Sequence, residues 1–276
     1  MRLSQGHLNL LATCPRKYQH TFIDQLGSPT TPEQQEKQAW GSRFHLLMQQ
    51  RELGLPIESI IQEDAQLQRW VTGLVGVAPD ILTPNPNSEA FRDSEHCRTL
   101  AFGDYLLTVI YDLLIADIKS AQILDWKTYP KPQKRQNLAQ NWQTRLYLYV
   151  LAETSDYAPE QISMTYWFVQ SQPEAKSLKF TYNAGLHEQT RRDLSRLLHQ
   201  LTDWLRRYEK GEEFPLVEEP AGTCDFCQYA VRCNMVPEPR RDIAPQRWRD
   251  RTAETGESET NKDLMLNLAS IQEVSL

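Results

Sequence analysis

The triplet Asp125-Trp126-Lys127 sets a carboxylate and an ammonium two residues apart. It ends a stretch, Ala121 to Lys127, of the apolar and aromatic composition that favours strands. Successive side chains on a strand point to opposite faces, so Asp125 and Lys127 share one. A second acid, Asp112, interrupts the apolar stretch Tyr105 to Ala116. A hairpin loop at Ala116 to Ser120 would pair the two stretches and let both carboxylates meet at one edge of a sheet. Two acids beside a lysine suit metal-assisted hydrolysis of a phosphodiester. The acids hold a hard divalent cation through oxygen. The cation polarises the phosphate, lowers the pKa of a bound water and steadies the departing oxygen. The lysine positions that water and offsets the charge that builds on the phosphate. The same residues also fit a solvated strand face carrying mixed charge.

Cysteines form the second grouping. They stand at positions 14, 97, 224, 227 and 233, and the last three read Cys224-x2-Cys227-x5-Cys233. Three thiolates at that spacing need one more ligand from elsewhere to complete a tetrahedral centre. The opening residues MRLSQGHLNL have neither a basic lead nor an apolar run, so a cytoplasmic, reducing location is expected. In that setting close cysteine spacing points to metal rather than to disulfides. Zinc and an iron–sulfur cluster both fit, and spacing alone favours zinc. Cys97 falls in a strand-like stretch and is expected to be a small buried hydrophobe outside the centre.

Composition sets limits on partners. With 40% hydrophobic and 24% charged residues in 276, the chain resembles a soluble domain with one substantial core. Its mean hydropathy of -0.59 and broken apolar runs argue against a membrane span. The net charge of -6 excludes DNA binding through general basicity and calls for a local basic groove. Lys119, Lys127, Lys131, Lys134, Arg135 and Arg145 supply a basic run with Asp125 among them, which also reads as a solvated face.

The elements that must position these residues follow from periodicity and breakers. Helices are expected over 4–12 with Ser4 as N-cap, through Tyr18, Phe22 and Leu26, over Glu33 to Leu53, and over Ile57 to Val75. Residues 79–90 read as an irregular connection rich in proline and asparagine. Three antiparallel strands follow at Cys97 to Ala101, Tyr105 to Ile115 and Ala121 to Lys127. A helix over Asn137 to Glu153, strands at Met164 to Val169 and Leu178 to Tyr182, and a long helix over His187 to Lys210 complete a mixed α/β core. Past Arg241 the sequence turns polar, with a weak helical pattern at Leu264 to Val274.

Four motifs in this order resemble the PD-(D/E)xK nuclease superfamily and its RecB-like branch. They are Gly41-Ser42-Arg43-Phe44-His45 (G-x3-H), Tyr111-Asp112, Leu124-Asp125-Trp126-Lys127-Thr128, and Gln143-Thr144-Arg145-Leu146-Tyr147 (Q-x3-Y). The branch usually carries a glycine three residues before the first acid, where this chain has Val109. The resemblance implies a restriction-endonuclease-like fold, a mixed central sheet flanked by helices with a helical N-terminal segment. It implies that Asp112, Asp125, His45 and the backbone carbonyl of Trp126 hold Mg²⁺ or Mn²⁺ and that Lys127 serves the attacking water. Gln143 and Tyr147 would hold the lysine and the DNA backbone. Without the motif, His45 also reads as a core histidine, and Tyr147 as part of an aromatic face with Trp142 and Tyr149.

A subset of the branch, including CRISPR-associated exonucleases and recombination nuclease subunits, places one cysteine before the nuclease core and three after it. The resemblance therefore implies a four-iron four-sulfur cluster on Cys14, Cys224, Cys227 and Cys233. Residues 1–240 would then form one nuclease domain closed at both ends by cysteines, with 241–276 a flexible tail. The activity implied is a metal-dependent DNA exonuclease, on single strands or DNA ends, in repair, recombination or CRISPR-related processing. The alternative is a DNA- or protein-binding module that keeps the fold without cutting. No G-x4-G-K-[ST] phosphate loop is present, so unwinding would need a helicase or another partner protein.

Overall fold

The computed structural model describes residues 1–27, 31–82, 89–129, 134–171, 174–217, 223–225 and 227–235. The expected tail and its weak helix lie outside these residues. Along the chain come β1 (Arg2–Leu3), α1 (Gln5–Thr13), α2 (Pro15–Tyr18) and a π-helical turn (Gln19–Ile23). Then follow α3 (Pro32–Glu52), α4 (Glu58–Gln62), α5 (Ala65–Val77) and α6 (Pro79–Leu82). The strands β2 (Phe91–Phe102), β3 (Tyr105–Ala116) and β4 (Ala121–Lys127) lead into α7 (Arg135–Gln140) and α8 (Trp142–Glu153). Last are β5 (Ile162–Phe168), β6 (Lys176–Thr181) and α9 (Ala184–Tyr208).

The chain divides into two compact units, Met1–Gln5 with Thr30–Ser195, and Gly6–Pro29 with Arg196–Leu276. The first holds the sheet. β3 pairs antiparallel with β2 along one side. On its other side it meets β4 at residues 113–116 and the two-residue β1, in parallel, at 106–107. β4 pairs in parallel with β5, which pairs antiparallel with β6. A parallel pair needs a crossover, and α7 and α8 provide it. On one face Phe44, Leu47 and Met48 of α3 and Leu67, Trp70, Val71 and Leu74 of α5 pack on Leu113, Leu124, Trp126 and Trp167. Helix α8 packs across β2, β3 and β5 and is buried along nearly its whole length.

Capping sets the helix ends. Thr31 and Gln34 form a reciprocal capping box at the start of α3. Where one helix is expected over Ile57 to Val75 there are two, because Asp64 turns extended and accepts the amides of Gln66 and Leu67. The helix expected over Asn137 to Glu153 is likewise broken at Asn141, whose side chain caps α8 through the Gln143 amide, 2.8 Å. β2 starts six residues before the expected strand, and β1 went unforeseen because two residues carry no periodicity.

One expectation needs correction. Cys97 is exposed. It falls on the outward phase of β2, which among the described residues pairs only with β3, so strand composition did not imply burial. Of the basic run, Lys131 lies outside the described residues. Lys119 sits in the hairpin before β4 and Lys127 at its far end, roughly 20 Å away at strand rise. Lys127 is buried, and Arg145 is ion-paired with Asp193 at 2.6 Å. Among the described residues no helix is long and apolar enough to cross a membrane.

The second unit packs Leu8, Leu11, Tyr18, Leu201 and Phe214 in its interior. Tyr18 stacks on Phe214 with ring centroids 6.3 Å apart, and Trp204 tilts against the same ring. Arg16 donates to the Phe214 carbonyl, and Gln19 Oε1 accepts the Phe214 amide, both at 2.7 Å.

Candidate active site and cysteine cluster

The sheet opens where the acids stand. The β3–β4 ladder ends at Leu113 and Leu124, while β4 stays paired with β5 through Lys127. In the fork, Asp112 Oδ2 accepts the Trp126 amide at 2.6 Å, taking the place of a ladder carbonyl. The Trp126 carbonyl accepts from His45 Nε2 at 3.0 Å, and His45 Nδ1 lies 3.4 Å from Asp112 Oδ1. His45 reaches this point from α3. Gly41, one turn earlier, permits the approach, since a Cβ there would meet Thr128 Oγ1 at 3.2 Å. The G-x3-H spacing thus has a steric cause.

Alternation turns Asp125 and Lys127 to the α8 side. Lys127 Nζ lies 2.7 Å from Asp125 Oδ1 and donates to Gln143 Oε1 at 2.9 Å. Gln143 Nε2 donates to Asp125 Oδ2 at 2.8 Å and closes a three-residue ring. Asp125 is 1% exposed and Lys127 6%. An ion pair so far from water is held by its further hydrogen bonds, and Gln143 supplies one to each partner. The ammonium also stands 5.3 Å from the Tyr166 ring centre. Burial works to raise the Asp112 pKa, but His45, Lys127 and the Trp126 amide together hold it below the ordinary carboxylate value. Burial works to lower the His45 pKa, yet Asp112 and Asp125 push it up to about 9.

Five of the six residues singled out therefore converge: His45, Asp112, Asp125, Lys127 and Gln143, with the Trp126 backbone between them. Tyr147 lies beneath the site. It is fully buried, its ring 5.3 Å from that of Tyr111, whose hydroxyl donates to the Tyr147 carbonyl. Val109, at the position where the branch has glycine, is a buried ladder residue opposite Arg98.

One residue went unforeseen. A carboxylate oxygen of Glu95 on β2 lies within 4.8 Å of ligand atoms of both His45 and Asp112. The acid sits between the pairs Ser94–Leu113 and His96–Tyr111, opposite Asp112, with φ 52. Once β2 and β3 were read as a hairpin, counting back from the Gly103 turn would have set Glu95 across from Asp112.

The donor set suits a divalent cation: carboxylates, a carbonyl and an imidazole converge, with His45 and Asp112 already sharing the Trp126 peptide. In the second unit, Cys14 is buried and accepts the Lys17 amide at 3.4 Å. Cys224, Cys227 and Cys233 lie along successive turns, with the Cys227 amide on the Cys224 carbonyl. Burial raises the thiol pKa values of Cys224 and Cys233, and neighbouring thiols, Cys14 and Cys227 among them, raise them further. All four cysteines thus share one neighbourhood. Among the described residues no three of them approach to the spacing at which they could share a single ion. His20 Nε2 lies 3.8 Å from Cys233 Sγ, and its Nδ1 pairs with Asp24 at 2.9 Å.

The family model described as the PD-(D/E)XK nuclease superfamily matches residues 2–234. The chain belongs to that superfamily, and its mixed sheet between helices is the restriction-endonuclease-like fold. A solved structure of a candidate exonuclease from Eubacterium rectale is similar over 92% of this chain and 94% of its own, with TM-score 0.52 and 11% identity. The crystal structure of SSO0001 aligns over 84% of this chain and 85% of its own, with TM-score 0.39 and 12% identity. Among curated proteins no match is found.

Proposed function

We propose that the chain is a divalent-metal-dependent deoxyribonuclease, an exonuclease acting on single-stranded DNA or DNA ends, in repair, recombination or CRISPR-related processing in the cytoplasm. The observation that carries the reading is the buried Asp125–Lys127–Gln143 ring beside Asp112 and His45. His45, Asp112, Asp125 and the Trp126 carbonyl would hold Mg²⁺ or Mn²⁺. When bound, the cation supplies Lewis-acid activation of the phosphodiester and of the attacking water. Lys127, fixed by Asp125 and Gln143, presents a positive charge to the phosphate and a donor to the water. Gln143 keeps the lysine in register, and Tyr147 supports the sheet beneath. Burying a carboxylate and an ammonium costs desolvation, and their placement beside Asp112 and His45 favours cleavage over a non-cleaving module.

Cys14, Cys224, Cys227 and Cys233 would hold a four-iron four-sulfur cluster. The order of these cysteines, one before the nuclease core and three after it as C-x2-C-x5-C, is what supports the reading. The chain lacks a phosphate loop, so unwinding would come from a partner helicase.

The test is end-labelled single- and double-stranded DNA incubated with anaerobically purified protein and Mn²⁺, with Lys127→Ala alongside. DNA degradation by wild type alone is the expected result. Equal degradation by Lys127→Ala, or none by wild type in Mg²⁺ or Mn²⁺, would overturn the reading.

A further inference from the structure

We propose that Glu95 is a further ligand to the same cation as His45 and Asp112, which makes β2 part of the metal centre. The inference rests on the metal-dependent reading above. Its first ground is distance: one ligand atom each from His45, Glu95 and Asp112 lie within 4.8 Å of one another. Two carboxylates and an imidazole are donor types that a divalent cation takes. A hard cation accepts six or more ligands, so one additional carboxylate completes the set rather than overfilling it.

The second ground is the backbone. Glu95 takes φ 52, in the left-handed region that residues with a Cβ seldom adopt. A glutamate serving only for solubility would sit on ordinary extended backbone. Such outliers persist where the surroundings impose them, and they collect at functional sites.

A third ground is what that conformation does to the hairpin. Simple alternation would put Tyr111 and Leu113 on one face. Instead Tyr111 reaches Tyr147 of α8, while Leu113 joins the cluster under α3 and α5. On β2, Arg92 reaches Glu52 of α3, while Arg98 reaches Thr154 at the end of α8. Both strands therefore change face at one level, across Glu95 and Asp112. That change brings the two acids and His45 of α3 together.

Calorimetric titration of Mn²⁺ into the full chain, without DNA, tests the assignment apart from catalysis. Glu95→Gln should weaken Mn²⁺ binding at least about tenfold, and Glu95→Asp should fall between Glu95→Gln and wild type. Without metal, Glu95→Gln should melt close to wild type, because it keeps the length of the side chain and one acceptor oxygen. If Glu95→Gln folds poorly, Glu95→Ala gives the same reading. Wild-type affinity in whichever neutral variant folds would overturn the inference. His45→Ala and Asp112→Asn separate the two levels. If they abolish binding while the Glu95 variants do not, the metal site stands and Glu95 is excluded from it. Absence of Mn²⁺ binding by wild type would overturn both.

Discussion

Asp112 Oδ2 stands 2.6 Å from the Trp126 amide and bonds a backbone group that the sheet would otherwise pair. A side chain on β3 thereby ends the ladder with β4 and keeps the fork open, and the same carboxylate meets His45 through its other oxygen. Structural support and cation binding are combined in one residue, and conservative substitution can separate them.

Asp112→Asn retains an oxygen that accepts the Trp126 amide, so folding should be nearly unaffected while Mn²⁺ binding is lost. Asp112→Ala leaves that amide buried without a partner and should cost an additional 1–3 kcal/mol or so. Denaturant titration of the two variants checks this. Equal stability would mean the bond to Trp126 does not hold the fork.

Lys127→Met should lower nuclease turnover by about 10²–10³-fold, the scale for removing one preorganised charge stabiliser. It also leaves Asp125 buried without its cation, at a cost of about 3–5 kcal/mol. Adding Asp125→Asn should return much of that stability and none of the activity. A double variant less stable than Lys127→Met would contradict the ion-pair account.

Gly41→Val should drive a methyl into Thr128 and shift His45 on α3. The expected signs are a lower melting temperature and weaker Mn²⁺ affinity, both partly restored by Thr128→Ala, which clears the contact at 3.2 Å. Failure of Thr128→Ala to restore either would remove the steric explanation.

Cys14→Ala and Cys227→Ala should destabilise the protein equally and lower its iron and sulfide content together, since metal binding contributes folding free energy. Air exposure should bleach wild type and lower its melting temperature. Unchanged metal content in Cys14→Ala would leave only three ligands and sink the four-cysteine cluster.

Asp24 accepts from Tyr208 at 2.7 Å and Gln19 at 3.1 Å and pairs with His20. Burial works to raise its pKa, but these partners hold it below the ordinary 3.8. A depressed pKa stabilises the fold fully above the unfolded value and loses that contribution as pH falls through the folded one. The melting difference between wild type and Asp24→Asn should therefore be largest near neutral pH and close below about pH 4. A difference constant from pH 7 to pH 3 would show that proton linkage at Asp24 is absent.

Most of the fold was legible because the strands around Asp112 and Asp125 are rich in apolar and aromatic residues between short polar breaks, and because β4 ends in the D-x-K triplet. The two helix breaks were not. Asp64 and Asn141 each act as caps inside runs whose apolar spacing continues across them, and periodicity does not register a side chain turned onto its own backbone. The motif residues were legible because each falls at a fixed spacing within its element. Glu95 was hidden because its relation to Asp112 runs across a hairpin, and no residue type announces a left-handed backbone in a strand.

The donors of the site span residues 45 to 143 and come from two helices and, with Glu95, three strands. No local segment can assemble them, and β4 is fixed on its second side only by pairing with β5, after the crossover through α8. Folding must therefore finish its long-range steps before the cation finds its ligands, and such steps are the slow ones. A chain still emerging from the ribosome, or one clipped before β5, would lack the finished site, so the capacity to cut should arrive with the completed sheet.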